Sequence, residues 1–405
     1  MRVLWVKAGK LLPVNKGTSI RSYNISRHLA RRNEITFLSY YSGERDAAYE
    51  RDLAQLFAQG IAIPTQGSRS NSLGEATRYI WRFPTGLPFA VSKFTSPEVQ
   101  RVVADLMNRR AVDISICDFL AASLNFPRVP KTPTILFQHN VESVLWRRQA
   151  ETERHWIRKP AYRIEAARML RYERLAVGRF DHIIAVSEED RKRMGSMTDL
   201  SRITVIPTGV DVQAFQQVES RIVSEPRVMF LGDMSWEPNI DGAMFFCKEI
   251  WPRVKGQVPD ARFQIVGRDP SPSVKKLASP SVEVTGTVPS ALEYLREAAV
   301  FVVPLRVGSG TRLKIYEAMA AGRAVVSTSI GAEGLDVHPG RDIILADSAE
   351  TFADAIIQLL RDLSLRRRYE AAAIELVRQF DWSLIASQFE EVMARVASRT
   401  PLAKP

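Results

Sequence analysis

A short glycine-containing loop connects a predicted strand, Val300–Val303, to a predicted helix that begins near Leu313. Two cations, Arg312 and Lys314, lie at the start of this helix. Backbone N–H groups at a helix start bind phosphate well, because they have no partner within the helix and carry a partial positive charge. Arginine grips phosphate through two N–H groups, lysine adds a point charge, and glycine lets the backbone come close. The segment therefore predicts a diphosphate site with the binding residues Gly308, Ser309, Gly310, Thr311, Arg312 and Lys314.

A carboxylate follows these cations within the predicted helix. Glu317 is an anion and is unsuited to phosphate, but a carboxylate at this place suits paired hydroxyl groups such as those of a ribose. The alternative interpretation of the whole segment is a capped helix that carries a cluster of surface charges.

The elements that must position these residues alternate between short apolar runs and helical patterns, which is typical of a parallel sheet covered by helices. In the first half, a helix is predicted over Ser19–Arg31, and strands over Val3–Val6, Ile35–Ser39, Asp113–Cys117, Thr134–Phe137, His182–Val186 and Ile203–Ile206. In the second half, helices are predicted over Ile240–Trp251, Ala349–Leu363, Leu365–Arg378 and Ser383–Ala397, and strands over Val228–Leu231, Arg262–Val266, Val282–Val284, Ala299–Val303, Ala324–Ser327 and Ile343–Leu345.

The same architecture therefore starts twice, and the fold class is α/β with two doubly wound domains. The break falls near Asp211–Pro226, where no strand or strong apolar period occurs. We predict a Rossmann-like domain over residues 1–211, a second one over 212–382, and a last helix within 383–405. One option is that this last helix crosses back to the first domain. The region Pro64–Pro97 is predicted to be irregular. Its Tyr79–Phe83 stretch combines aromatic rings with an arginine. One interpretation is contact with a membrane or an apolar acceptor, and the other is that the rings pack on the core.

Composition narrows the class of protein. The chain has 405 residues, 45% of them hydrophobic, and only two cysteines, Cys117 and Cys247. A disulfide framework is therefore not expected, and a reducing cytosol is the natural compartment. No apolar run is long enough to span a bilayer, and the apolar stretch at Met1–Lys7 is too short for a signal peptide. We expect a cytoplasmic protein, with peripheral attachment to the inner face of the membrane as an option.

The positive charge is concentrated in one segment. The formal net charge is +11, and Trp146–Arg179 contains ten lysines and arginines against four acids. Such a segment is either a solvated helical face or a basic surface that meets lipid headgroups or an anionic acceptor. Nucleic acid is not expected as a partner, because no nucleic-acid-binding motif accompanies the charge.

Two polar segments of the first half also follow predicted strands. His139 comes two residues after Thr134–Phe137, at a strand's carboxyl end, which makes it a candidate catalytic residue. The loop that holds Gly17 and Thr18 lies between the first strand and first helix, where its N–H groups suit a phosphate or an acceptor. It lacks the GxGxxG pattern, which disfavours a dehydrogenase, and the alternative is an ordinary turn. No cysteine and histidine spacing predicts a metal site.

Several segments in order resemble the GT4 family of GT-B retaining glycosyltransferases (glycosyl transferases group 1). The donor-site segment of that family is similar to Gly308–Glu317 and its continuation to Thr328, and Gly331–Leu335 extends the likeness. The resemblance also includes Asp181–Glu188, Val205–Asp211 and Phe230–Asn239, so it covers most of the chain.

This resemblance implies two facing Rossmann-like domains with a cleft between them. The C-terminal domain would bind a nucleotide sugar, with UDP or GDP as the nucleotide, and the N-terminal domain would bind a glycan, lipid-linked or small-molecule acceptor. It adds Gly232, Asn239, Gly267 and Val288 to the donor-binding residues, and assigns catalytic roles to His139, Arg312 and Lys314. It implies no cofactor and no essential bound metal.

The sequence departs from the family at two places. Ser309 stands where many members have the first of two glutamates eight positions apart, and Glu317 matches the second. The common lysine near the start of the C-terminal domain is replaced within the segment Trp236–Asn239, so diphosphate binding would depend more on Arg312 and Lys314.

The expected function is transfer of a sugar from a nucleotide sugar to an acceptor with retention, by a hexosyltransferase of exopolysaccharide or lipid-linked glycan synthesis. Two alternatives stay open. One is a GT-B sugar-nucleotide epimerase, which needs no acceptor. The other is an inactive module that binds sugar nucleotides, which the departure at Ser309 favours.

Overall fold

The chain forms two compact units in a computed structural model. The structure describes residues 1–14, 17–65, 86–109, 111–153, 155–156, 158–216, 225–307 and 312–398. The first unit comprises Met1–Pro207 together with the segment from Ser383 onward, and the second comprises Thr208–Trp382. The predicted residues Gly308, Ser309, Gly310 and Thr311, the stretch Tyr79–Phe83, and Asn15 and Lys16 lie outside the described residues.

The first unit is built on a parallel sheet of seven strands. Its strands are β1 (Arg2–Ala8), β2 (Glu34–Ser42), β3 (Gln59–Thr65), β4 (Ile114–Asp118), β5 (Thr134–Phe137), β6 (His182–Ala185) and β7 (Ile203–Val205). Its helices are α1 (Gly17–Leu29), α2 (Ala47–Leu56), α3 (Phe89–Ser92), α4 (Pro97–Asn108), α5 (Glu142–Thr152), α6 (Arg158–Arg179) and α7 (Glu188–Gly195). The strand order is β3-β2-β1-β4-β5-β6-β7, with a core of strand residues buried from both faces.

The sequence analysis missed part of this unit. Strand β3 and helices α2 and α4 were not predicted, and the supposedly irregular region Pro64–Pro97 includes α3 and the end of β3. Strand β3 is only half-buried and contains Gly60 and Pro64, which disfavour strands on their own. It forms because it pairs with β2 along its whole length, from Thr36 opposite Gln59 to Ser42 opposite Thr65.

The second unit repeats the architecture with six parallel strands. They are β8 (Arg227–Leu231), β9 (Arg262–Val266), β10 (Val282–Gly286), β11 (Val300–Val303), β12 (Ala324–Ser327) and β13 (Ile344–Leu345). The helices are α8 (Val212–Gln216), α9 (Glu237–Phe245), α10 (Trp251–Gln257), α11 (Pro272–Lys275), α12 (Ala291–Glu297), α13 (Leu313–Ala320), α14 (Ala349–Arg361) and α15 (Leu363–Val377). The strand order is β10-β9-β8-β11-β12-β13.

One predicted helix is interrupted. The helix predicted over Ile240–Trp251 is α9, followed by a π-helical turn over Phe246–Ile250 and then α10. Pro252 lies in the first turn of α10 and has no N–H to donate, and its ring clashes with the carbonyl four residues earlier. Widening the preceding turn relieves that clash.

The C-terminal helix α16 (Trp382–Ala397) packs on the first unit. Its residue Phe389 is fully buried, with its ring centroid 5.5 Å from that of Trp5 and 5.2 Å from that of Phe137. Because both partners belong to central strands of the first sheet, α16 completes the core of that unit.

Both sheets change direction at one point. Numbered within each unit, the strand order is 3-2-1-4-5-6-7 in the first sheet and 3-2-1-4-5-6 in the second. The chain therefore builds outward in opposite directions from the neighbouring strands β1 and β4, and from β8 and β11. Ligands of open parallel sheets bind in the crevice at this switch point, beyond the carboxyl ends of the strands. The topology therefore directs attention to the residues that follow β1 and β4 and those that follow β8 and β11.

Candidate functional site

In the second unit, two helices begin at the switch point of the sheet. Helix α9 begins six residues after the end of β8, and α13 begins after β11, the strand that pairs with β8. Their first turns present N–H groups without partners in the helix. Trp236 directly precedes α9 and Arg312 directly precedes α13, and neither makes a side-chain capping hydrogen bond.

A pair of glycines lets the loops after β8 and β9 approach each other. Gly267 has φ of +148°, and a Cβ atom there would lie 1.7 Å from the carbonyl oxygen of Gly232. The amide of Gly232 donates to the carbonyl of Val266 at 3.0 Å. Only glycine fits at position 267, and the predicted residues Gly232 and Gly267 are therefore brought into contact.

Lys314 extends from α13 toward α9. Its Nζ donates to Oδ1 of Asn239 at 3.0 Å and lies 4.7 Å from the ring centroid of Phe230. Asn239 is buried, and its Nδ2 donates to the carbonyl of Asp233 at 2.8 Å. The amide therefore has a fixed orientation, with its oxygen toward the ammonium group.

Burial and a neighbouring cation change the acidity of this ammonium group. Desolvation, reinforced by Arg312, lowers the pKa of Lys314 to about 7, and Glu317 opposes the shift. Burial in turn raises the pKa of Glu317. Lys314 thus lies close to a second basic side chain, and a bound anion would stabilise its charged form.

Arg312 is 5% exposed, and the carbon of its guanidinium group lies 5.5 Å from the ring centroid of Trp236. Asp233, three residues before Trp236, is bound by another arginine. Its Oδ2 accepts from Nε and Nη2 of Arg268 at 2.9 and 2.7 Å. The third strand of this half-sheet, β10, ends at Gly286, and the predicted residue Val288 follows it half-buried.

Replacing Gly232 by alanine tests whether this arrangement binds a nucleotide. The new Cβ would lie 2.6 Å from Nδ2 of Asn239 and 3.0 Å from Nζ of Lys314, so both side chains must shift. We expect Gly232→Ala to weaken nucleoside diphosphate binding roughly tenfold, about the loss of one hydrogen bond to a charged group. Gly256→Ala is the control, because that Cβ meets nothing within 4 Å. Equal affinities of the two variants, measured by titration calorimetry, would contradict the assignment.

In the first unit, the switch point holds a buried polar network around Asp118, the last residue of β4. Its Oδ2 accepts from Nε1 of Trp5 at 2.8 Å and lies 3.5 Å from Nζ of Lys7. Its Oδ1 lies 2.7 Å from Nε2 of His139. The other ring nitrogen of His139, Nδ1, is 3.2 Å from Nη1 of Arg21 on α1.

This network defines the state of His139. Arginine only donates hydrogen bonds, so Nδ1 accepts and the proton is on Nε2, which donates to Asp118. Burial lowers the pKa of His139 to about 4, so the ring is neutral. Burial also raises the pKa of Asp118, but the charge of Lys7 and the hydrogen bonds from His139 and Trp5 outweigh this and keep that pKa well below its usual range. Both ring nitrogens are engaged, which favours a positioning role for His139 over proton transfer.

The backbone beside this network is strained. Phe119 follows Asp118 and has φ of 76° and ψ of 157°, a region that residues other than glycine rarely adopt, at a cost of about 1–3 kcal/mol. Its ring packs edge-to-face with that of His139, with centroids 5.3 Å apart. Gly17 and Thr18, the first residues of α1, are exposed at the carboxyl edge of the same sheet.

Within each unit, the structure brings some predicted residues together. Gly232, Asn239, Gly267, Arg312, Lys314 and Glu317 gather in the second unit. Sequence reasoning missed Lys7, Arg21 and Asp118 in the first unit and gave no role to Trp236. The available signal was an acid at the end of an apolar strand, Ile114–Asp118. Among the described residues, no group of three or more histidines, cysteines, aspartates or glutamates is placed to bind a metal ion.

Two Rossmann-like sheets, each with polar groups at its switch point, define the class of nucleotide-binding α/β proteins with the GT-B architecture. Comparison with known proteins agrees with this class. The family model for Glycosyltransferase Family 4 matches residues 16–214, and the model for Glycosyl transferases group 1 matches residues 225–362. The chain belongs to the GT4 family of glycosyltransferases.

Individual relatives show the same likeness. Phosphatidyl-myo-inositol mannosyltransferase of Mycobacterium leprae is 34% identical over 227 residues, which are 53% of this chain and 59% of the relative. The chain thus spans somewhat more than half the length of the curated relatives it matches. Among solved structures, HepE of Anabaena in complex with UDP aligns over 98% of this chain and all of that one, with a TM-score of 0.66 and 16% identity. Sucrose-phosphate synthase of Thermosynechococcus elongatus aligns over 98% and 99%, with a TM-score of 0.67 and 16% identity.

Proposed function

We propose that this protein transfers a sugar from a nucleoside diphosphate sugar to an acceptor hydroxyl group, with retention of anomeric configuration. The observation that carries the proposal is the meeting of Arg312 and Lys314 with the starts of α9 and α13 at a switch point. Two basic side chains at two helix starts suit a diphosphate. Membership of the family and the name of the mycobacterial mannosyltransferase support the transfer reaction.

The proposed reaction breaks the bond between the anomeric carbon and the β-phosphate oxygen and forms a bond from that carbon to the acceptor oxygen. Negative charge develops on the departing diphosphate, and Arg312 and Lys314 stabilise it. The acceptor attacks from the same face, and the departing phosphate oxygen takes its proton, so no protein nucleophile is required. Two protein cations would serve where other enzymes use a metal, so we propose no cofactor.

The proposal also assigns other residues to particular parts of the donor and to the acceptor. Glu317 is half-buried one turn into α13 and would accept hydrogen bonds from the ribose hydroxyl groups. Gly267 and Val288 would pass close to the base, for which uracil and guanine are the candidates. Gly17 and Thr18 are proposed to take part in donor binding, and His139, held by Asp118 and Arg21, would be a positioning residue of the first unit.

Incubation with radiolabelled nucleotide sugars, with and without acceptors, tests the proposal. A thermal-shift panel of UDP- and GDP-sugars first selects the donor. Label transferred to an acceptor supports the proposal, and an anomeric configuration equal to that of the donor supports retention. A changed sugar on the nucleotide without any acceptor would instead indicate an epimerase. Binding without turnover across the acceptor panel would indicate the inactive module.

The basic segment of the first unit bears on the acceptor. Both acids of α6, Glu165 and Glu173, are buried, where each accepts hydrogen bonds from the N–H groups that begin another helix. The outer surface of α6 therefore carries only positive charge. It presents Arg158, Arg163, Arg171 and Arg174 beside the exposed apolar residues Ile164, Leu170 and Leu175.

This one-sided charge leads us to propose that α6 meets an anionic membrane surface, which would favour a lipid-linked acceptor on the cytoplasmic side. No helix in the described parts of the chain is long and apolar enough to cross a bilayer, so contact would be peripheral. In sedimentation with liposomes, we expect binding to vesicles with anionic lipid at low salt and release at high salt. Each arginine contributes roughly 1 kcal/mol, and salt screens it.

Arg171→Glu combined with Arg174→Glu should abolish this sedimentation. Arg45→Glu combined with Arg109→Glu is the matched control, because these exposed arginines of the same unit lie outside α6. Equal binding to neutral and anionic vesicles at low salt would refute the membrane proposal and leave the transfer reaction untouched.

A further inference from the structure

A groove lies between three helices of the first unit. It encloses about 460 Å³ between α5, α6 and the end of α7. Cavities that bind small molecules commonly measure roughly 300–1,000 Å³, so the groove has room for part of a lipid molecule. Its walls are mainly apolar and include Val141, Val144, Ala166, Ala167, Leu170 and Met197.

The groove stays open because its walls are fixed and two of its side chains are short. The carboxylate of Glu173, on α6, accepts hydrogen bonds from the backbone N–H groups of Glu142 and Ser143 at 2.9 and 3.1 Å. These hydrogen bonds fix the start of α5 against α6. The lining positions 166 and 167 of α6 are alanines, so this helix fills little of the space that its neighbours enclose.

Arginines from all three helices line the same groove, namely Arg147 on α5, Arg174 on α6 and Arg193 on α7. Arg193 is bound by Glu189 at 3.0 Å, and Arg147 lies 4.0 Å from Glu151, with both side chains of the latter pair 66% exposed. Exposed pairs of this kind contribute little, so Arg147 can turn to another anion at small cost. Arg174 is exposed, and it forms no salt bridge with any acid in the described part of the chain. Arg147 and Arg174 therefore give the groove a basic edge that is complementary to an anion.

The apolar lining continues onto the outer surface of α6. Leu170 lines the groove and is also exposed, and Ile164 and Leu175 of the same helix are exposed as well. Residues three or four positions apart share one face of a helix, so Ile164 adjoins Ala167 at the groove. An apolar groove with arginines at its edge suits an amphiphile, because chain carbons bury apolar area and arginine binds phosphate. A free phosphate or a nucleotide would leave the apolar walls exposed to water.

We propose that the groove between α5, α6 and α7 binds a single anionic phospholipid, whose headgroup phosphate is held by Arg147 and Arg174 and whose acyl chain begins along the apolar walls. This inference rests on the proposed contact of α6 with an anionic membrane, and it adds a discrete, saturable site to that contact. Surface charge alone attracts the helix to any anionic surface, whereas the groove selects a molecule that has both a charge and a chain. Neither arginine has a part in the proposed transfer reaction.

Titration calorimetry with short-chain lipids below their micelle concentration separates binding in the groove from attraction to a surface. Dihexanoyl phosphatidylglycerol should bind with about one molecule per protein. Dihexanoyl phosphatidylcholine has the same chains without net charge, and glycerol phosphate has the charge without chains. Each of these two ligands should bind roughly tenfold more weakly, because each lacks one of the two interactions.

Ala167→Trp tests the groove without changing any charge. Its indole would occupy the space of the ligand, so phosphatidylglycerol binding should weaken roughly tenfold while salt-sensitive sedimentation with anionic vesicles stays undiminished. Ala161→Trp is the matched control, because Ala161 is an exposed residue of α6 outside the groove lining. Arg174→Gln should weaken phosphatidylglycerol binding about fivefold, the upper end for an exposed ion pair. Arg163→Gln is its control, since Arg163 is an exposed arginine of α6 that does not line the groove.

Equal affinities for the three ligands, or equal losses in Ala167→Trp and Ala161→Trp, would overturn the inference. Sedimentation with anionic vesicles but no binding of monomeric phosphatidylglycerol would also overturn it, and would leave the membrane contact of α6 intact. Sugar transfer to a water-soluble acceptor is measured separately. Failure of the wild-type protein to transfer any sugar would overturn the proposed function and would not alter the result of the lipid titration.

Discussion

Replacing Arg312 by alanine should weaken nucleoside diphosphate binding about 10- to 150-fold and leave nucleoside binding within about twofold. A hydrogen bond to a charged group contributes roughly 1.5–3 kcal/mol, and the guanidinium group would bind only the phosphates. Titration calorimetry with the diphosphate and with the nucleoside measures both affinities. Arg306→Ala is the matched control, because Arg306 lies after the same strand and its guanidinium group binds Asp241.

Lys314→Ala should weaken nucleoside diphosphate binding by a similar factor. The pH dependence of binding by the wild-type protein then identifies Lys314 as the group that titrates. The pKa of Lys314 is about 7, so half of the molecules lack the charge at that pH. A bound diphosphate raises this pKa, so binding takes up a proton above pH 7 and affinity falls as the pH rises. A nucleotide sugar is the best probe, since its diphosphate does not titrate near neutrality. Lys314→Arg keeps its charge and should remove the pH dependence.

Equal losses for diphosphate and nucleoside in the Arg312 and Lys314 variants would contradict the phosphate role. A pH-independent affinity of the wild-type protein between pH 7 and 9 would contradict the assignment of a titrating lysine. An unfolded variant would also lose both ligands equally, so the melting temperature of each variant is measured in parallel and only folded variants are compared.

Replacing Asp118 by asparagine should destabilise the protein by about 3–5 kcal/mol. The carboxylate is 1% exposed, and the cations Lys7 and Arg21 are buried in the same network. Removing one partner of a buried ion pair leaves uncompensated charge, which is the costly change. Denaturant unfolding followed by circular dichroism measures the loss. Asp113→Asn is the control, because Asp113 directly precedes the same strand in an exposed pair with Arg2, and should change the unfolding free energy little.

The same network predicts sensitivity to acid. The pKa of His139 is about 4 in the folded protein and near 6.5 unfolded, so between these values only the unfolded chain takes up the proton. The pKa of Asp118 is also lowered in the fold, so its contribution is present above its unfolded pKa and lost below. Both groups act with the same sign, and the melting temperature should fall from pH 6.5 to pH 4. A constant melting temperature over this range would contradict the neutral, buried histidine.

The sequence by itself determined the parallel α/β class, the restart of the architecture and most strands. These features depend on local patterns, such as apolar runs of four or five residues separated by helical periods. The sequence also located Arg312, Lys314 and Glu317, because these residues lie within the ten-residue segment Gly308–Glu317 that connects a strand to a helix. The edge strand β3 escaped prediction because it forms by pairing with β2, which no local pattern reports.

Only the tertiary structure decided how the charges are paired. Asp118 lies beside Trp5, Lys7 and His139, and Arg21 meets His139 across 118 positions of sequence. Lys314 and Asn239 are 75 positions apart, and Trp236 and Arg312 come together because β8 and β11 are neighbours. Burial decides whether a charge needs a partner, and which side chains become partners depends on which strands lie side by side. Sequence spacing therefore predicts a site's residues where one loop contains them, and the folded sheet alone determines the contacts that hold them.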